Sequence, residues 1–356
     1  MAASSSTTPN RPRTTAKTTP KSTTAKTIRN EVVRGRLSIC ASLFALFGGT
    51  VLAYAASQDI YLGDSVRLLG FQAVAQKGDP AAVERFSAKG WPDLFAEKNR
   101  DHVLVGGVKV FLEDNIDEKK TKLTVTRRDY DKVLVPLLWR LPPQLPGTKR
   151  ILLDPGHGGK DPGIVSAALG YTEKAATLDT ALRIKLVLEK RGFEVILTRE
   201  KDTFIDLDDR AAAANKLKAD LFVSLHYNGG AKGDASSSGI ETYCLTPAGQ
   251  HSTNKASARA DITAEPANRF DTFNLLLAWN IQRSLIKATG AEDRGVRRSR
   301  FAVLRPLNCP GVLVEGGFVS SRAEGAQIAN AAYRQKLAEA IAEGITAYAV
   351  RVRSKQ

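Results

Sequence analysis

From Arg150 onward, short apolar runs alternate with longer amphipathic stretches, a pattern of strands threaded with helices. Runs at 151–153, 193–199, 221–226 and 239–245 read as strands, followed by a strand pair at 301–304 and 311–315. Between them, a helix is expected from about Thr172 to Arg191, with Leu178, Leu182 and Leu186 as its apolar row and Gly192 as its stop. Asp206, with Asp209 three residues on, predicts a capped helix through Lys218. Another helix is expected at 274–288, and a last one places Tyr333, Leu337, Ile341, Ile345 and Tyr348 on one face. The expected fold is α/β, a central, mostly parallel twisted sheet with helices on both faces.

The first half of the chain follows other patterns. Residues 57–100 mix weakly helical stretches with breaks at Gly78-Asp79-Pro80 and Gly90-Trp91-Pro92. Residues 103–137 read as β-rich, with Val103, Val105, Val108, Val110 and Leu112, then Leu123 and Val125, then Val133 and Val135. They suit a small accessory β unit or an extra layer on the main domain. Pro142-Pro143-Gln144-Leu145-Pro146-Gly147 reads as a stiff linker. The expected organisation is a basic tail at 1–36, an export or anchoring segment at 37–56, an accessory region with its linker at 57–147, and a catalytic domain at 148–356.

Charge sharpens the picture at the N-terminus. The chain carries +15, of which eight Lys/Arg against the single acid Glu31 place +7 in residues 1–36. That Ser/Thr/Pro-rich tail lacks the apolar residues to fold. Residues 37–56 carry no charge, follow Arg34 and Arg36, and end in Ala53-Tyr54-Ala55. This reads as a secretory signal cleaved after Ala55, or as an uncleaved anchor of bilayer length. Both place the mature protein outside the cytoplasm. The remaining basic charge suits polyanions in general, but no basic–aromatic module marks a nucleic-acid partner. Cys244 and Cys309 read as small buried residues, with pairing left open.

Three strand ends carry candidate chemistry. Ile151-Leu152-Leu153-Asp154-Pro155-Gly156-His157 runs from an apolar strand into a Gly-rich turn that presents a histidine. Leu221 to His226 and Val312 to Glu315 repeat the arrangement. Strand ends gathered at one sheet edge are where α/β proteins build sites. His157, Glu173 and His226 supply a two-histidine, one-carboxylate set that suits tetrahedral zinc with one open position. Glu173 would stand in the first turn of its helix, where a carboxylate is favoured. Glu315 would be the free carboxylate that moves protons. A lone histidine after a strand is often structural, and Glu173 alone could simply cap its helix. A glutamate closing Val312-Leu313-Val314 is harder to dismiss, because burying a charge is costly. His102 and His251 lack such context and read as surface or loop residues. Lys160 is followed by Asp161 rather than Ser or Thr, so no phosphate loop is present.

Residues 150–350 resemble the catalytic domain of zinc-dependent N-acetylmuramoyl-L-alanine amidases, bacterial cell-wall enzymes associated with daughter-cell separation. The resemblance rests on Leu153 through Gly163, Thr172-Glu173-Lys174, Ser224-Leu225-His226-Tyr227-Asn228 and Val312 through Phe318. It implies zinc held by His157, Glu173 and His226, with Glu315 as catalytic base. The implied reaction frees the stem peptide of peptidoglycan by cutting the amide between N-acetylmuramic acid and L-Ala. The implied location is the periplasm or cell envelope, with an activator protein and inner-membrane attachment through 37–56 as further partners to test. Several members gate the site with an inserted helix; here the corresponding Ala/Ser/Thr/Asn-rich stretch 246–271 reads as a substrate-side loop. Arg294, Arg297 and Arg298 suit substrate carboxylates or a solvated basic loop equally. Competing functions are a zinc peptidase cutting within the stem, and a non-catalytic wall-binding protein, against which all four site residues argue.

Overall fold

Eleven strands hydrogen-bond into one sheet in the computed structural model, which describes residues 59–75, 82–139, 147–231, 235–253 and 263–353. In chain order they are β1 (Gln72–Ala73), β2 (Val83–Ser87), β3 (Leu94–Glu97), β4 (His102–Val105), β5 (Val108–Phe111) and β6 (Arg150–Pro155), then β7 (Glu194–Leu197), β8 (Leu221–Asn228), β9 (Ile240–Leu245), β10 (Asp293–Ser299) and β11 (Gly311–Phe318). Their spatial order is β7-β6-β8-β11-β9-β10-β5-β4-β3-β2-β1. The helices that matter are α1 (Leu62–Leu68), α2 (Glu173–Lys190), α3 (Leu207–Lys216), α4 (Asp271–Thr289), α5 (Arg322–Ala329) and α6 (Ala331–Val352).

The sheet is mixed rather than mostly parallel. β7, β6, β8 and β11 pair in parallel, but β9 runs antiparallel to β11, and β1 to β5 form an antiparallel meander. Connection length explains the difference. Short turns between β2 and β5 permit only antiparallel neighbours, whereas helical crossovers return the later strands in parallel.

The N-terminal strands extend the main sheet. β5 joins β10 in parallel at Val110 and Val296. Lys109 N–H donates to Asp293 at 2.7 Å, Arg298 to the Phe111 carbonyl at 3.1 Å, and Trp279 Nε1 to the Val105 carbonyl at 3.0 Å. Residues 56–356 cluster as one compact unit. The candidate tail and hydrophobic segment at 1–56 and the Pro-rich stretch at 142–146 lie outside the described residues.

Strand alternation sorts the core into two layers. Ile151, Leu153, Val223, Leu225, Val312 and Val314 face α2, α4 and α6. Leu152, Phe222, Leu313 and Tyr243 face the opposite layer, which includes Ala211 and Ala214 of α3. On α6 the expected face is buried, with Leu337, Ile341, Ile345 and Tyr348 inside. On α2 the expected row is wrong: Leu182 and Leu186 are exposed, while Ala176, Ala181, Ile184 and Leu188 face the core with Thr177 and Thr180. Small residues there let the helix lie close to the sheet. α3 begins after Asp206 as expected, but that side chain accepts no capping bond and the helix ends at Lys216.

Two further expectations fail locally. Residues 301–304 form a turn, and the strand is instead β10, whose three arginines disguise it. Arg294 and Arg297 pair with Glu241, and Arg298 reaches a backbone carbonyl, so their charges are satisfied inside the sheet. Val133 and Val135 lie in helical turns, where Pro136 suits the first turn of the 135–138 helix. Cys244 and Cys309 are both buried and free, and burial pushes both thiols up to about 12.

Candidate metal centre

β6 ends at Pro155, and the chain turns through a loop in which His157 adopts φ +61°, a left-handed conformation rare outside glycine. Two buried arginines hold that turn from beneath. Arg210 donates to the carbonyls of Pro155 at 3.0 Å and His157 at 2.9 Å, and pairs with buried Asp154 at 2.8 Å. Arg199 donates to the Pro155 and Gly156 carbonyls at 3.0 and 2.7 Å, and to the Lys174 carbonyl at 2.9 Å. Asp154 also accepts from Thr198 at 2.7 Å and from Ser224 at 2.8 Å, two residues before His226. These contacts tie the His157 loop to the start of α2 and to β8.

Glu173 is the first residue of α2 and is buried. Its Oε1 lies 2.9 Å from His157 Nε2 and 3.1 Å from His226 Nδ1, and accepts from Tyr227 N–H at 3.0 Å. Its Oε2 accepts from Ile164 N–H at 3.0 Å. Burial pushes the Glu173 carboxyl up, but the bonds to both histidines prevail and hold it at about 2. The imidazoles meet edge to face with centroids 4.9 Å apart. One ligand atom from each of His157, Glu173 and His226 falls within 4.8 Å of the others. Asp161 sits 2.8 Å from His157 Nδ1, orienting the ring so that Nε2 points inward. Burial pulls the His157 pKa down, and the carboxylates of Glu173 and Asp161 more than reverse it, leaving a net rise.

Glu315 joins the cluster through sheet register. It stands opposite His226 on β8 and opposite Glu241 on β9, so three adjacent strands carry a row of His226, Glu315 and Glu241. The residue keeps part of its surface open, but its Oε2 is enclosed and has no hydrogen-bond partner. Burial, reinforced by the charges of Glu173 and Glu241, raises its carboxyl well above the usual range. Glu241 is satisfied differently: it accepts from Asn228 at 2.7 Å and Tyr243 at 3.1 Å and pairs with Arg294 and Arg297 at 3.3 and 3.0 Å.

The four residues expected from sequence are thus brought to one sheet edge, while His102 and His251 are not. His102 pairs with Asp101 at 3.0 Å, and His251 is exposed on a loop. Asp161, Asp154, Arg199, Arg210 and Glu241 were missed. A charge interrupting an apolar strand, as in Leu153-Asp154-Pro155 and Gly239-Ile240-Glu241-Thr242, was the available signal for two of them. Arg294, Arg297 and Arg298, which in sequence suit substrate carboxylates or a solvated basic loop equally, are engaged inside the protein.

Two imidazoles and a carboxylate within mutual reach, with Asp161 fixing one ring, suit a borderline-soft divalent cation such as zinc. The orphaned Oε2 of Glu315 alongside suits a partner arriving with that ion or with substrate.

Comparison with known proteins gives the same direction. A family profile described as N-acetylmuramoyl-L-alanine amidase matches residues 151–347. The chain is 34% identical over 198 residues to the amidase LytC of Bacillus subtilis (strain 168), a match covering 56% of this chain and 35% of that protein. It is 33% identical over 229 residues to the amidase AmiA of Escherichia coli (strain K12), covering 57% and 76%. Among solved structures, the CwlV catalytic domain from Bacillus(Paenibacillus) polymyxa var. colistinus is 34% identical, with TM-score 0.46 and coverage of 56% and 98%. The chain thus spans about a third of LytC and about three quarters of AmiA.

Proposed function

Because this chain belongs to the N-acetylmuramoyl-L-alanine amidase family, we propose that it is an exported zinc hydrolase acting on peptidoglycan, in wall remodelling or daughter-cell separation. The scissile bond is the amide between the lactyl group of N-acetylmuramic acid and L-Ala. The observation that carries this reading is the register of His226 against Glu315, which sets a half-enclosed carboxylate beside the His157–Glu173–His226 cluster.

In this reading His157, Glu173 and His226 hold the metal. A zinc ion there supplies Lewis-acid activation of water and of the scissile carbonyl. Glu315 takes the proton of the attacking water and delivers it to the departing amine of L-Ala. A raised pKa makes this carboxylate a stronger proton acceptor than an ordinary glutamate and lets its protonated form persist until the amine departs. Asp161 keeps the His157 ring in one tautomer, and Glu241 holds Arg294 and Arg297 in its own ion pairs beside Glu315.

Export is supported by the charge and hydropathy of 1–56 and by a substrate that lies outside the cytoplasm. Among the described residues no helix is long and apolar enough to cross a membrane. Incubating purified protein with sacculi and resolving the products tests the reading. Free stem peptides with an L-Ala amino terminus support it, whereas fragments cut inside the stem indicate a peptidase. Repeating the assay with envelope extract shows whether an activator protein is needed.

A further inference from the structure

We propose that a cleft lined by all three tryptophans of the chain binds wall glycan bearing free lactyl carboxylates, at a site separate from the metal centre. Trp91, Trp139 and Trp279 come from distant parts of the sequence and converge on one concavity of about 520 Å³. That volume suits a ligand of disaccharide size. Trp139 is 39% exposed and Trp91 is half-buried, so indole surface is available at the rim, whereas Trp279 is 2% exposed and buried behind it. Indole faces offer flat apolar platforms for pyranose rings, with little conformational entropy to lose.

Two guanidiniums give the cleft its charge. Arg283 lies 5.2 Å from the Trp279 ring centroid, and Arg351 lies 5.5 and 5.6 Å from those of Trp91 and Trp279. Arg351 donates only to the carbonyls of Pro136 and Leu137, at 3.2 and 2.8 Å, and Arg283 bonds to no described residue. Among the described residues neither has a carboxylate partner, in a chain where Arg128, Arg183, Arg210 and Arg334 each have one. Burial and the neighbouring Arg283 pull the Arg351 pKa down to about 10. A ligand carboxylate would relieve that like-charge crowding and match the guanidinium fork.

The choice of ligand rests on the amidase reading. Hydrolysis converts the lactyl amide of muramic acid into a carboxylate, while the amine leaves with L-Ala. The stripped glycan alone combines sugar rings with a carboxylate at every second residue. The cleft shares no residue with the metal centre. α4 enters it near the start of β11, where Asn274 accepts from Gly311 N–H at 2.9 Å, four residues before Glu315. Holding a stripped segment there would keep the protein on a strand while the separate metal centre meets intact stems.

Tryptophan emission reads this site directly, because every indole of the chain lines it. The full-length Glu315→Gln protein, which separates binding from turnover, is titrated with N-acetylglucosaminyl-N-acetylmuramic acid, with N,N′-diacetylchitobiose and with free stem peptide. The muramyl disaccharide is expected to give a saturable change. Chitobiose, which lacks the carboxylate, and the Arg283→Gln variant should each bind about tenfold more weakly. Stem peptide should give no saturable response. Equal binding of chitobiose, a response to stem peptide alone, or no saturable response would overturn the proposal. Arg283 and Trp139 are exposed, so Arg283→Gln and Trp139→Ala should melt as the parent does and hydrolyse soluble muropeptide at the parent rate. Retention by stripped glycan chains should fall in both. Failure of the amidase reading appears instead in the products of the unsubstituted protein.

Discussion

Arg210 donates a hydrogen bond to the carbonyl of His157 at 2.9 Å, pinning a non-glycine residue in left-handed backbone at φ +61°. Such a conformation costs about 1–3 kcal/mol and persists only where surrounding bonds over-determine it. Arg199 and Asp154 complete the support, so the aim of the His157 ring is fixed before any cation arrives. Arg210→Lys keeps the charge but loses the fork that reaches Asp154, Pro155 and His157 together. Zinc affinity, measured by competition with a chromophoric chelator, is expected to fall about 10- to 100-fold. Unchanged affinity in a folded variant would contradict this account of the loop.

Gly163 shows how little room the centre leaves. A Cβ there would stand 2.6 Å from Glu173 Oε2 and 2.7 Å from His157 Cδ2, at a φ of +63° that disfavours any side chain. Gly163→Ala is therefore expected to displace both residues and abolish stoichiometric zinc binding. Metal content after dialysis, beside a near-native melting curve, distinguishes this from simple unfolding.

The enclosed Glu315 carboxylate sets the expected pH profile. It accepts a proton only when ionised, and burial with Glu173 and Glu241 nearby raises its pKa. Activity should be present above that raised pKa and fall as pH drops through it. The acidic limb of kcat/KM should thus lie clearly above the range of an exposed glutamate near 4.5. Glu315→Gln should remove that limb and lower kcat about 10²- to 10⁴-fold, with zinc content unchanged. An acidic limb that survives in Glu315→Gln would assign it to another group.

Strands β1 to β5 cover the edge that β10 would otherwise present. Removing residues 1–147 would strip partners from Asp293, Arg298 and the Trp279 indole, and expose an unpaired strand. The remainder, 148–356, is expected to aggregate or lose cooperative unfolding. A soluble, cooperatively folded 148–356 fragment would show that the catalytic half stands alone.

The site was legible in sequence where chemistry interrupts pattern. A histidine in a Gly-rich turn after 151–153, and a glutamate ending Val312-Leu313-Val314, break an apolar rule that the fold otherwise keeps. Arg199 and Arg210 gave no such signal, because a buried arginine bonded to carbonyls looks in sequence like any surface arginine. The same ambiguity hid β10, where Arg294, Arg297 and Arg298 suggested a loop although Glu241 and Phe111 receive them. On α2 the leucines misled because small residues, Ala181 and Thr177 among them, face the core, leaving Leu186 to solvent. Joining β5 to β10 depends on a pairing across nearly two hundred residues, which no local pattern encodes.

The central claim is that His157, Glu173 and His226 hold a zinc ion beside Glu315 for cleavage of the muramoyl–L-Ala amide. Its most direct test is mass spectrometry of products released from sacculi by zinc-loaded protein, chelator-treated protein and Glu315→Gln. The account predicts intact stem peptides with a free L-Ala amino group from the first, none from the second until zinc is returned, and release from Glu315→Gln slowed about 10²- to 10⁴-fold. Release from Glu315→Gln at the parent rate, release that persists after metal removal, or peptides cut within the stem would contradict it.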